Sequence, residues 1–192
     1  MRPHRMSLVE ISSKSHNVSL NIRYATEYNF TGAPVYGRQE CYLHEEAEEY
    51  LIKAMSYAEN LGYRFKIFDA FRPLEAQWLL WNHTPDPNFL ADPQHGSPHS
   101  RGVAIDLTLI DKDGEELEMG TDFDAFTSKS HHGNLEVSNG AQFNRYLLLG
   151  IMTTAGWDFY QNEWWHYQLH NVEDYSLLSD SILEHSMMPM NT

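Results

Sequence analysis

The stretch Ser97-Pro98-His99-Ser100-Arg101-Gly102-Val103-Ala104-Ile105-Asp106-Leu107-Thr108-Leu109 joins a turn to an apolar run. From Val103 to Leu109 the pattern reads as a strand, with Val103, Ile105, Leu107 and Leu109 on one face and Ala104, Asp106 and Thr108 on the other. Asp106 is thus a carboxylate set into an otherwise apolar strand. An unpaired buried charge is too costly to keep, so a metal, an arginine or a hydrogen-bond network has to meet it. His99 lies seven residues earlier, and Gly102 between them lets the chain turn sharply enough for the imidazole to swing toward Asp106. On spacing alone a His–Asp pair is more often a simple hydrogen bond than a metal site, and a third ligand decides.

Upstream, apolar Ala47, Leu51, Ala54, Met55, Ala58 and Leu61 recur at three- and four-residue spacing, which predicts a helix from about His44 to Leu61. Glu45, Glu46, Glu48 and Glu49 load its first turns, favourably for the helix dipole, and Gly62 ends it. Tyr63 to Phe68 alternates and reads as a strand entering Asp69-Ala70-Phe71-Arg72-Pro73, followed by a short helix from about Leu74 to Trp81. His83 to Gly96, with three prolines, is expected to be a loop.

Downstream, Asp111-Lys112-Asp113-Gly114 looks like a hairpin turn. Gly120 to Gly140 is polar and long enough to be an active-site loop, and Ala141 to Ala155 is an apolar helix stopped at Gly156. The last strand is expected at Trp164 to Leu169. Strands separated by helices and a hairpin, in no regular βαβ rhythm, favour an α+β fold with a small antiparallel sheet flanked by helices.

The 192 residues, 42% hydrophobic and 13% aromatic, suffice for one domain with a real core, and no linker or repeat divides them. A formal charge of −14 argues against nucleic-acid binding, which needs clustered Lys and Arg. The single cysteine, Cys41, forms no internal disulfide and is expected to be a small buried apolar residue. Met1-Arg2-Pro3-His4-Arg5 leads into Ser7-Leu8-Val9-Glu10 and not into a secretory apolar run, and no stretch is long enough for a membrane helix. The expectation is a cytoplasmic protein, or a periplasmic one if a signal peptide has been removed. Oligomeric state is carried by no motif.

Glu163-Trp164-Trp165-His166 offers the third ligand. His166 would share a strand face with Gln168 and His170, while Trp165, Tyr167 and Leu169 face the core. In a regular strand Glu163 and His166 point to opposite faces, so Glu163 must lie on a bend entering the strand if both are to reach one ion. The plainer reading makes the tryptophans core and their polar neighbours rim.

Ser97 and His99, Gly102 and Ala104 inside the spacer, Asp106, and far downstream Glu163-Trp164-Trp165-His166 resemble the zinc signature of the D-alanyl-D-alanine dipeptidases of vancomycin resistance, relatives of the D,D-carboxypeptidases and of the hedgehog fold. The resemblance extends, in order, to Arg23-Tyr24-Ala25-Thr26, Asn29-Phe30-Thr31-Gly32, Asp69 to Pro73, Met119-Gly120 through Phe123-Asp124, and Ser130-His131-His132, covering roughly residues 20 to 170.

The resemblance implies one Zn²⁺ per chain held by His99, Asp106 and His166, a fourth position for water, and Glu163 as the general base. It implies that Arg72, fixed by the turn at Pro73, stabilises the oxyanion, whereas the residue alone would read as a surface salt bridge. It assigns Tyr24 and Asp124 to the free amino end of a small dipeptide and Ser97 to a further substrate contact. His131-His132 is the rival ligand pair, although adjacent side chains diverge. His83, His95, His170 and His185 read as solvated or structural, and Trp78, Trp81, Trp157 and Tyr160 as core or pocket wall. The competing functions are a D,D- or L,D-carboxypeptidase acting on longer peptidoglycan peptides and a noncatalytic zinc-binding interaction domain. Tyr24 with Asp124 favours the dipeptidase over the first, and Glu163 with Arg72 over the second.

Overall fold

A computed structural model describes residues 7–189, so the basic start Met1-Arg2-Pro3-His4-Arg5 and the final methionine of the Met187–Met190 run lie outside the described residues. In chain order the elements are β1 (Leu8–Glu10), β2 (Val18–Leu20), β3 (Tyr42–His44), α1 (Glu45–Asn60), β4 (Arg64–Asp69), α2 (Leu74–His83), β5 (Ala104–Ile110), α3 (Asn139–Ala155), β6 (Asp158–Phe159) and β7 (His166–Gln168), with short 3-10 turns between them.

The helices begin where capping residues stand. The His44 ring accepts from the backbone N–H of Glu46 at 3.2 Å, and the Ser138 hydroxyl accepts from that of Ala141 at 3.0 Å. Helix α1 buries Ala47, Leu51, Ala54 and Ala58 of the stripe the periodicity marks, whereas Met55 is half-buried and Leu61, beyond the last helical residue, is exposed; the helix packs on β4 and on α3. Helix α3 ends at Gly156 in the left-handed conformation (φ 110°), and a Cβ there would come within 2.6 Å of the Tyr50 ring.

Five strands form the main sheet in the order β2-β4-β5-β7-β6, while β1 and β3 make a separate antiparallel pair. The architecture is mixed helix and sheet, as expected, but the sheet is not wholly antiparallel: β2 runs parallel to β4. A parallel neighbour requires a crossover connection, and the segment holding β3 and α1 supplies it. The short strands β1, β2, β3 and β6 were not expected, because two or three residues are too few for an alternation to register.

Central β5 is covered on both faces: all seven residues from Ala104 to Ile110 are buried, including Asp106 and Thr108. Tyr24, Phe68, Phe123 and Trp165 meet above it in edge-on and tilted ring contacts around Phe123. The expected strand from Trp164 to Leu169 contracts to His166–Gln168, and the loop ending at Gly140 yields its last two residues to α3. Cys41 is buried, and burial pushes its thiol well above the ordinary range. Met187 packs into the core with its carbonyl accepting from the Gly37 N–H at 2.7 Å.

Candidate metal centre and active site

Three adjacent strands place a row of polar side chains at one level of the sheet. A register shift between Ile67 and Asp69 brings Asp69 opposite Asp106, and on the other side of β5 Asp106 stands opposite His166. His99 enters from the 3-10 turn His99–Arg101, closed by Gly102 at φ 71°. A Cβ on Gly102 would lie 2.8 Å from Leu8 Cδ2 and 3.2 Å from the His44 nitrogen, so glycine suits both the backbone and the space.

Glu163 precedes β7 on a turn, where its N–H donates to Tyr160 O at 3.2 Å and its carbonyl accepts from His166 N–H at 3.3 Å. The bend that the spacing demands is therefore present. It leaves Glu163 Oε2 3.8 Å from His166 Nδ1, on the same side of the sheet.

His99 Nε2, His166 Nδ1 and the Asp106 carboxylate converge: 3.1 Å between the two nitrogens, 3.0 Å from His166 Nδ1 to Asp106 Oδ1, and 3.3 Å from His99 Nε2 to Asp106 Oδ2. Outside this cluster the other nitrogen of each imidazole faces an oxygen that can accept its proton. His99 Nδ1 is 2.7 Å from the Ala70 carbonyl, and His166 Nε2 is 3.0 Å from Gln168 Oε1. A neutral imidazole has one N–H, so with both protons held outward the three converging atoms all present lone pairs. Facing acceptors repel unless a cation lies between them, and these three residues are the group whose ligand atoms gather for a metal ion among the described residues. Burial would raise the Asp106 carboxyl, but the adjacent His99 and His166 outweigh burial and hold it below the usual carboxylate range.

Arg72 is buried beside the cluster, not on the surface. Its Nε and Nη2 donate to Asp69 Oδ2 at 2.9 and 2.8 Å, its Nη1 donates to Gln77 Oε1 at 3.0 Å, and Nη2 lies 3.7 Å from Asp106 Oδ2. Burial disfavours its charge, yet Tyr24, Asp69, Tyr36 and Asp106 outweigh burial and keep it cationic. The guanidinium also sits 5.0 Å from the centre of the Tyr24 ring.

Tyr24, Arg72, Ser97, His99, Asp106, Asp124, Glu163 and His166, the eight residues singled out from the sequence, all line one cavity of about 330 Å³. Pro87, Phe89, Leu90 and Ala91 wall it from the loop after α2. That loop is fastened where Asn88 O accepts from Tyr160 Oη at 3.0 Å and from Asn162 Nδ2 at 3.2 Å, and Phe89 stacks on Phe126 with ring centres 4.8 Å apart. Asp124 holds a left-handed backbone (φ 59°), and its Oδ2, like the Tyr24 hydroxyl, is buried without a hydrogen-bond partner. Burial, reinforced by the Asp106 charge, pushes the Asp124 carboxyl up to about 8. Burial and the charges of Asp106 and Asp124, opposed by Arg72, raise Glu163 well above its ordinary range.

Of the other histidines, His83, His95, His170 and His185 are exposed, and neither His131 nor His132 joins the converging group. His132 is buried, and burial with the Arg145 charge pushes it down to about 4. Trp157 is core and Tyr160 is cavity wall, but Trp78 is 40% exposed, contrary to expectation.

Sequence reasoning missed the supports. Asp69 and Tyr36 hold Arg72 through a 2.9 Å hydroxyl–carboxylate bond, and buried Gln77 ties it to Ala91 O at 2.7 Å. Arg145 donates to the carbonyls of Met119, Lys129 and His131, fixing the loop that bears Asp124. Only Gln168 left a trace in the sequence, two residues from His166 on one strand face.

Residues 4–188 match the family described as D-ala-D-ala dipeptidase. The chain is 41% identical over 173 residues to the D-alanyl-D-alanine dipeptidase of Escherichia coli (strain K12), with 90% of each chain covered. It is 35% identical over 177 residues to that of Enterococcus faecium, covering 81% of this chain and 88% of the relative. With that of Streptomyces coelicolor it shares 34% identity over 172 residues, 77% of this chain and 83% of the relative.

Proposed function

This chain belongs to the D-Ala-D-Ala dipeptidase family, and from that premise we propose that it hydrolyses the dipeptide D-alanyl-D-alanine to two D-alanines with one Zn²⁺ per chain, held by His99, Asp106 and His166. The observation carrying the metal assignment is the donor geometry. Tetrahedral zinc with bonds of about 2.0–2.1 Å separates its ligand atoms by roughly 3.3 Å, and the three pairs here stand at 3.0, 3.1 and 3.3 Å. Two neutral imidazoles and one carboxylate are a catalytic rather than a structural donor set, since three protein ligands leave a position open. When bound, zinc supplies a Lewis acid that acidifies water and polarises the scissile carbonyl.

The chain's own residues do the rest. Glu163 takes a proton from the attacking water as the O–C bond forms, and returns it to the amine as the C–N bond breaks. Its Oε2 lies 3.8 Å from His166 Nδ1, within reach of a water at the converging ligand atoms. Arg72, held rigidly by Asp69 and Gln77, offers its positive charge to the oxyanion. The Asp124 Oδ2 and Tyr24 hydroxyl take the substrate's free ammonium, and Ser97, which lines the same cavity, contacts the dipeptide.

The walled cavity of about 330 Å³ supports a dipeptide over the longer wall peptides of a carboxypeptidase. A noncatalytic zinc-binding domain would have no use for Glu163 and Arg72 buried beside the cluster. We place residues 1–192 in a single domain of the hedgehog and D,D-peptidase type. The deciding test is D-Ala-D-Ala cleavage by the wild type and Glu163→Gln, with zinc content measured on both. The variant keeps its zinc and loses on the order of 10² to 10⁴ in rate, and a zinc-replete variant with wild-type turnover refutes the assignment of the base.

A further inference from the structure

We propose that Gln168 is a positioning residue that selects the tautomer of His166, and so decides whether the His99–Asp106–His166 cluster is a cation site or a closed hydrogen-bond network. The inference rests on the zinc reading above.

His166 Nδ1 lies 3.0 Å from Asp106 Oδ1. With a proton on Nδ1, the imidazole would donate to that carboxylate, and the cluster would be an ordinary buried His–Asp pair with one ligand position spent. With the proton on Nε2, Nδ1 turns a lone pair toward His99 Nε2 and Asp106, and the three acceptors need a cation. Local geometry otherwise favours the first arrangement, because a carboxylate at hydrogen-bonding distance attracts the proton.

Gln168 opposes it. Its Oε1 sits 3.0 Å from His166 Nε2, and an amide oxygen only accepts, so the proton is drawn to Nε2. Position is set by the strand: residues 166 and 168 of β7 share a face, and Gln168 stands opposite small Ala104 on β5, which leaves room for its side chain to lean back to the ring. His99 receives the same service from the backbone carbonyl of Ala70, which no side-chain change removes. Control over the ligand set that substitution can reach therefore lies with Gln168.

The test uses Gln168→Met, of similar length without an acceptor, and Gln168→Glu, which can only accept. Zinc affinity is read by chelator competition, and the His166 tautomer by long-range ¹H–¹⁵N correlation on the metal-free proteins at mildly alkaline pH. Gln168→Met loosens zinc about 10- to 100-fold and moves the His166 proton toward Nδ1, whereas Gln168→Glu keeps the wild-type tautomer and binds zinc at least as tightly. Unchanged affinity and tautomer in Gln168→Met, or an equal loss in Gln168→Glu, overturns the proposal and makes Gln168 a packing residue. If the wild type binds no zinc, the metal reading itself falls, while the tautomer measurement still reports whether Gln168 governs His166.

Discussion

Replacing Asp106 with Asn keeps the shape of the side chain and removes the only formal negative charge among the three converging atoms, which makes it the sharpest probe of the metal centre. Site energies of about 10–16 kcal/mol for tightly held zinc, divided over three protein ligands, give roughly 3–5 kcal/mol per ligand, at least a hundredfold in affinity. Thermal unfolding with graded zinc reads this without an activity assay. With free zinc at about a thousand times the wild-type Kd, linkage adds about 4 kcal/mol to the folded state. For a domain of this size that is about 8–16 °C in Tm. At the same zinc concentration the Asp106→Asn protein gains at most about 1.4 kcal/mol, a shift of roughly 3–6 °C. The reasoning depends on lone pairs 3.0–3.3 Å apart having no proton between them. Equal zinc shifts in the two proteins, or none in the wild type, would show that the cluster is held by ordinary hydrogen bonds.

Two further outcomes follow from particular contacts. Asp124 faces Tyr24, Arg72, Asp69 and Asp106, and its carboxyl is raised to about 8 in the folded protein, so the folded state binds the extra proton. Its contribution is therefore present below about pH 4 and is lost as pH rises toward 8, by on the order of a few kcal/mol. Denaturant titrations of the metal-free protein should show that fall; Asp124→Asn, whose side chain tolerates the φ of 59°, should abolish it while raising KM for the dipeptide. An unchanged pH slope would remove Asp124 from the account. Gly102→Ala forces a Cβ to within 2.8 Å of Leu8 Cδ2 at a φ of 71° and should cost about 1–3 kcal/mol. Calorimetry would register a Tm loss of roughly 2–12 °C, and zinc binding should weaken with it because the same turn presents His99.

Much of the fold is legible because helix and strand periods are local. The stripe Ala47, Leu51, Ala54, Ala58 and the run Ala104–Ile110 each carry their signal within one element. Where signals were short or non-local, reading failed: the three-residue β2 and its parallel pairing with β4 depend on what returns across the sheet from elsewhere.

For the candidate site, spacing by itself left the His99–Asp106 pair and its third ligand open, the resemblance of the ordered motif added Glu163 and His166 to the set, and the strand pattern required Glu163 to leave the strand if both were to reach one ion. Tertiary structure alone decided what those residues face. The bulge aiming Asp69 at Arg72, the Ala70 and Gln168 oxygens that turn two imidazoles into acceptors, and the Tyr160–Asn88 fastening over the cavity all join groups distant in the chain or re-aim neighbours by register. Spacing says which face a side chain takes on its own strand. Proton position, carboxyl affinity and enclosure are properties of what meets it there, and they are set by distances of a few ångströms that close only when the sheet has formed.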